Sequence, residues 1–203
     1  MQESHKTQTQ GGLSTQAPTQ LRAKPGACVD FETLVIVGER IFLTTDADSY
    51  ENEIFQEFTT EITHYMTPQP CKNREEFAMV RQQFAQQRAR KTDIVFVILN
   101  NESSEFLGCC GIHANEDARF PYVGLWIKKG AHGHGYGREA IRTLVQYASE
   151  NLMIDGFMYP VDRRNMPSRK IPESLGGSIV DEIKVMSMSG RELDQVVYRI
   201  PAR

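Results

Sequence analysis

Between residues 132 and 137 glycine alternates with histidine and tyrosine, His132-Gly133-His134-Gly135-Tyr136-Gly137, and a stretch with helical apolar spacing follows directly. Glycines let the backbone bend tightly and approach a ligand with no Cβ in the way. A helix starting behind such a turn leaves its first N–H groups unpaired at the positive end of its dipole. The combination reads as a diphosphate cradle, in which each charge-assisted N–H bond contributes roughly 1.5–3 kcal/mol. Two other phosphate-binding motifs fit worse. A P-loop needs Gly-Lys followed by Ser or Thr, and this turn continues Gly137-Arg138-Glu139. A dinucleotide-binding βαβ unit needs an acid ending the next strand. Asp162 is the sole candidate, and the strands before the turn read as antiparallel hairpin strands. His132 and His134 form an H-x-H pair, but no third ligand follows at a recognisable spacing, so no metal is expected.

The turn must be held by a strand before it and a helix after it. Tyr122 to Lys128 supplies the strand, and Ala140, Ile141, Leu144, Val145, Ala148 and Leu152 mark the helix's apolar face. Upstream, Arg40 to Leu43 reads as a strand. Asp48 and Glu51 resemble a capping box for a helix carrying Tyr50, Ile54, Phe55 and Phe58. Asn73 and Glu76 open a second helix whose expected buried stripe is Phe77, Val80 and Phe84. Ile94 to Leu99 and Phe106 to Ile112 read as strands around the turn residues Asn100 to Ser104. Downstream, Phe157 to Val161 is a strand, and Asn165 caps a short helix with Pro167 in its first turn. Pro172 falls inside that helix and predicts a kink or an early end; Gly176 and Gly177 terminate it. Ser178 to Met186 and Gln195 to Ile200 form a hairpin around Ser189-Gly190. The expected order is strand, two helices, three strands, helix, strand, helix, two strands, an α/β (α+β) arrangement.

The remaining composition narrows the classes. The 203 residues suffice for one domain with a substantial core. Residues 1–30 are rich in Gln, Thr and Gly and read as a flexible tail; residues 31–203 form the domain. A net charge of −3 gives no electrostatic reason to bind nucleic acid or an anionic membrane. No apolar run approaches the roughly 18–20 residues of a membrane span. The N-terminus has no apolar signal region. Cys28, Cys71, Cys109 and Cys110 lack zinc-knuckle spacing, and the adjacent pair points to opposite faces of a strand. Four free thiols point to a cytoplasmic protein.

The turn, taken with Trp126-Ile127 before it, resembles motif A of the GNAT superfamily of N-acetyltransferases, with His132 at the motif's Gln/Arg position. Asn165-Met166-Pro167-Ser168 resembles that family's Asn-x-x-Ser pattern, and Glu173-Ser174-Leu175-Gly176 its Glu-x-Leu-Gly pattern. Tyr65-Met66-Thr67-Pro68 resembles the acceptor-side segment of the branch with ribosomal-protein N-terminal acetyltransferases. The resemblance spans about residues 39–200. It implies a mixed, mostly antiparallel twisted sheet with splayed central strands and about four flanking helices. It further implies acetyl-CoA as acetyl donor, the pantetheine arm beside Trp126, Ile127 and Lys128, and the diphosphate on His132, Gly133, His134, Gly135, Tyr136 and Gly137. Asn165 and Ser168 would complete the cofactor contacts.

The implied reaction joins an amine to a thioester carbonyl and needs a deprotonated amine, a polarised carbonyl and a proton for the thiolate. A lysine-type amine is only ~0.04% neutral at pH 7, whereas an α-amine is roughly ten per cent neutral. By resemblance Ser168 is the candidate proton donor. In the branch the sequence resembles, many relatives carry Glu where Tyr122 stands; with Tyr there, the candidates for the base are His113, Glu116 and Tyr122. Protein α-amines, aminoglycosides, polyamines and amino acids all remain open as acceptors. The rival class is a GNAT fold that binds acyl-CoA as a sensor or scaffold without turnover.

Overall fold

The computed structural model describes residues 19–203. The chain runs β1 (Val35–Val37), β2 (Ile41–Thr44), α1 (Glu51–Glu57), α2 (Arg74–Ala89), β3 (Asp93–Asn100), β4 (Phe106–His113), β5 (Tyr122–Ile127), α3 (Tyr136–Asn151), β6 (Gly156–Asp162), α4 (Met166–Ser174), β7 (Ser178–Met186) and β8 (Glu192–Pro201). Eight strands form one sheet in the order β1-β2-β3-β4-β5-β6-β8-β7. Every neighbouring pair is antiparallel except β5 and β6, which α3 joins as a parallel crossover. The fold class, the splay and the four helices agree with the sequence reading, and β1 is added to its order.

The apolar spacing of α3 is what docks it. Ala140, Ile141, Leu144, Val145, Ala148 and Leu152 are all at most 2% exposed. Fully burying a side chain such as Leu144 is worth about 1.5–3 kcal/mol. The opposite sheet face holds a smaller cluster, Val97, Leu99, Phe106 and Cys109, packed against Tyr50, Ile54 and Trp126. Cys110 lies in the main core with α3, so the adjacent thiols do point to opposite faces. Burial pushes both thiols above their ordinary range.

Three local expectations are corrected. Asp48 and Glu51 do not cap α1; both carboxylates pair with Arg81 on α2, while Asp46 accepts the Ser49 N–H at 3.2 Å. Asn73 does cap α2 by accepting the Glu76 N–H at 2.8 Å, and Glu76 accepts the Lys72 N–H in return. The buried stripe of α2 shrinks to Phe77, since Phe84 faces solvent. The tail is also shorter than 30 residues. Leu21 is buried in the main core, its N–H donates to the Lys91 carbonyl at 2.8 Å, and Ala23 bridges Leu152. Leu21 and the partly buried Val29 are the apolar side chains that anchor this segment, too sparse a signal for periodicity to register. The rest of the predicted tail, residues 1–18, lies outside the described residues.

Candidate active site

The feature that makes a site is the separation of β5 from β6. The two strands share a single register pair, Tyr122 with Met158, secured by the Met158 N–H on the Pro121 carbonyl at 2.9 Å. Beyond it β6 follows β8 through seven pairs and β5 follows β4 through six, so a wedge opens toward Ile127. Because Pro121 turns its carbonyl to β6, alternation turns the N–H and C=O groups of Val123, Leu125 and Ile127 the same way. The Leu125 backbone therefore borders the wedge. Ile127 keeps its N–H there, but its carbonyl is bonded by His132 Nε2 at 2.8 Å. Trp126 turns its backbone to β4, and the Lys128 N–H donates to the Leu107 carbonyl. Of residues 126–128, only Ile127 thus offers backbone to the wedge, and Leu125 joins it.

The glycine-rich turn stands at the wide end of this wedge. Gly133 and Gly135 have φ of +83° and +81°, the left-handed region that disfavours a Cβ. Gly137 serves another purpose: a Cβ there would stand 2.8 Å from Leu125 Cδ1, so its absence lets α3 close onto β5. The backbone N–H groups of residues 133–138 bond to none of the described residues, and α3 has no side-chain cap. They form a row of donors at a helix N-terminus. Beneath it lies Glu139, 4% exposed, which accepts the Arg40 N–H at 2.6 Å and Arg40 Nε at 2.8 Å. Arg40 Nη1 also donates to the His134 carbonyl at 3.2 Å, and its guanidinium lies 5.0 Å from the Tyr136 ring centroid. Arg40 thus neutralises a carboxylate beside the donor row and ties the turn to β2. No local pattern signals this pair, whose members are 99 residues apart.

Past the last β5–β6 pair, on the α3 face, Tyr159 is buried and its hydroxyl meets Ser168 Oγ at 2.8 Å. Burial raises the phenol's pKa, so it keeps its proton. Ser168 sits in the first turn of α4, where its N–H donates to Asn165 Oδ1 at 3.3 Å. Its hydroxyl bonds the phenol and not its own backbone, and Asn165 is the helix cap.

The other sheet face carries the remaining candidates. Asp93, His113 and Tyr122 stand in one row across β3, β4 and β5; Val95, Gly111 and Gly124 form the next row, and Val97, Cys109 and Trp126 the third. His113 Nδ1 bonds Asp93 Oδ1 at 2.9 Å. The ring folds back over Gly111, where a Cβ would stand 2.7 Å from Nε2. Glu116 is exposed in the loop beyond and bonds no described residue. Trp126 packs its indole against Phe58 and Phe106, with centroids 5.1 and 5.7 Å away.

The connection between α1 and α2 roofs this face of the wedge. Phe58 touches the β5 side through Trp126, and Lys129 pairs with Glu61. On the β6 side, the Arg164 guanidinium lies 5.7 Å from the centroid of Tyr65, held by fully buried Asp162. The Met188 N–H donates to the Thr67 carbonyl, which fixes the β7–β8 hairpin to the same roof. Tyr65 therefore stands over this face of the wedge. Among the described residues no three His, Cys, Asp or Glu side chains cluster as metal ligands, and no helix is long and apolar enough to cross a membrane.

The fold recurs in solved structures. A GCN5-related N-acetyltransferase from Brucella melitensis superposes with a TM-score of 0.70 at 16% identity, covering 84% of this chain and 80% of its own. The microcin self-immunity acetyltransferase MccE, solved with acetyl-CoA and AMP, gives 0.71 at 18% identity over 80% and 93%. RimL, a ribosomal α-N-protein acetyltransferase solved with coenzyme A, gives 0.70 at 14% identity over 83% and 98%. No curated protein matches in sequence. At these identities the likeness is one of fold. Residues 40–178, more than half the chain, match the acetyltransferase (GNAT) domain, and they include Arg40, the donor row, both strands of the wedge and Ser168. The chain belongs to the GNAT acetyltransferase family.

Proposed function

We propose that the protein transfers an acetyl group from acetyl-CoA to a primary amine by direct attack within a ternary complex, in the cytoplasm. The observation that carries this reading is the meeting of the donor row, residues 133–138, with the open edge of β5. The first suits a diphosphate, and the second suits an amide-bearing chain laid in as a short extra strand. The Leu125 groups and the Ile127 N–H would pair with the pantetheine arm. Acetyl-CoA supplies the activated acyl group. Where the strands part, Ser168 stands ready to give a proton to the departing sulfur. Tyr159 Oη and Ser168 Oγ lie 2.8 Å apart; in this reading the phenol donates to the serine oxygen and leaves the serine hydrogen free to turn into the wedge. The amine enters from the other face, under the α1–α2 roof.

Thiol release from acetyl-CoA, measured with α-amino peptides, aminoglycosides, polyamines and amino acids, tests the reading. Acceptor-dependent release supports it. Binding of acetyl-CoA without acceptor-dependent release supports the sensor or scaffold instead.

A further inference from the structure

Resting on that reading, we propose that His113 is the base that deprotonates the acceptor amine and that Asp93 is its positioning residue. Three observations place the base here. First, the Asp93 carboxylate holds Nδ1 at 2.9 Å, and a carboxylate can only accept, so Nδ1 carries the hydrogen and Nε2 the lone pair. Second, the ring bends over Gly111, so Nε2 lies on a stretch of bare backbone and bonds no described residue. Third, that stretch continues onto Gly124, where a Cβ would meet nothing within 4 Å. Gly124 is on β5, whose other edge borders the wedge. One strand spacing, about 4.8 Å, separates Gly111 from β5, a gap that one water spans.

The alternatives are weaker on the same ground. Glu116 is exposed in the loop after β4, and nothing orients it. Tyr122 shares the row with His113, but a phenol is a proton donor at neutral pH.

The protons balance. The acceptor ammonium gives one proton through water to His113 Nε2, and the imidazolium is compensated by Asp93. The amine nitrogen then bonds the acetyl carbon, and its second proton leaves to water. The C–S bond breaks with its electron pair on sulfur. Sulfur takes a proton from Ser168, which water restores.

A base matters most for an amine that is charged at neutral pH. The test measures thiol release by wild type, His113→Gln and Asp93→Asn with ethylamine, glycinamide and trifluoroethylamine, in falling order of basicity, and acetyl-CoA affinity by calorimetry. Ring nitrogen shifts of labelled histidine give the tautomer. We expect His113→Gln to lose ~10²-fold with ethylamine, far less with trifluoroethylamine, and none of its acetyl-CoA affinity. Asp93→Asn should lose about tenfold and show Nε2–H, where wild type shows Nδ1–H. Equal losses across the three amines, an unchanged rate in His113→Gln, or Nε2–H in wild type overturns the dyad and leaves acetyl transfer standing. Wild type that binds acetyl-CoA but releases no thiol with any amine removes the acetyl-transfer reading and the dyad with it.

Discussion

Tyr159 and Ser168 share a 2.8 Å hydrogen bond that joins the middle of β6 to the first turn of α4, just past the point where β5 and β6 part. The bond gives Ser168 two roles that separate experimentally. Ser168→Ala removes the proposed proton donor and leaves a buried phenol without its partner. Turnover should fall about tenfold to hundredfold, and stability by about 1–3 kcal/mol. Tyr159→Phe keeps the serine and removes the buried hydroxyl with it. That variant should lose less stability and only a fraction of the turnover. Melting temperature and kcat measured on both variants check this; equal kcat in wild type and Ser168→Ala would make the serine purely structural.

The turn glycines differ in what they tolerate. Gly135→Val puts a β-branched side chain at φ of +81°, so it strains the turn even though only Arg40 Nη2, 3.7 Å away, is near its Cβ. It should cost about 1–2 kcal/mol in stability and weaken coenzyme A binding. Gly133→Asn, a residue that accepts this conformation, should do little to either. Calorimetry with coenzyme A and thermal melts distinguish them, and unchanged affinity in a folded Gly135→Val would remove the turn from the binding site.

The sequence signals that held were local ones. The apolar face of α3 is legible because six residues repeat with helical period, and the glycine-rich turn because its residues are contiguous. The cap from Asn73 to Glu76 is likewise a short-range bond. What escaped is non-local. Arg40 reaches Glu139 across 99 positions, and Asp93 reaches His113 across 20. Tyr159 lies in a strand legible from its sequence, but nothing in that strand's spacing links its hydroxyl to Ser168. Asp48 and Glu51 had the spacing of a cap, but Arg81 on another helix claimed both.

Arg40→Ala tests the support under the donor row. It leaves the Glu139 carboxylate buried without its ion pair. Breaking a fully buried pair costs 3–5 kcal/mol, but Arg40 is half-exposed, so we expect about 1–3 kcal/mol. Coenzyme A affinity should fall as well, because an uncompensated negative charge then faces the donor row proposed to hold the diphosphate. Glu139→Gln, which keeps the hydrogen-bonding shape without the charge, should retain more affinity than Arg40→Ala.

Asp162 sets an acid limit. Its hydrogen bonds from Arg164 hold its carboxyl below the usual 3.8. A carboxyl with a depressed folded pKa contributes stability that is complete above the unfolded value and lost as pH falls through the folded one. Wild type should therefore lose this contribution below about pH 4. Arg164→Gln should be less stable at neutral pH and show a flatter decline in acid, read from melting temperature against pH.

Acetyl-CoA binding at the wedge is the central claim, and a thermal-shift titration tests it most directly. At a hundredfold excess over Kd, acetyl-CoA should stabilise the protein by about 2.7 kcal/mol, a rise of roughly 5–10 °C. NAD and ATP at the same concentration should produce little. A clear response to NAD with none to acetyl-CoA would contradict the account.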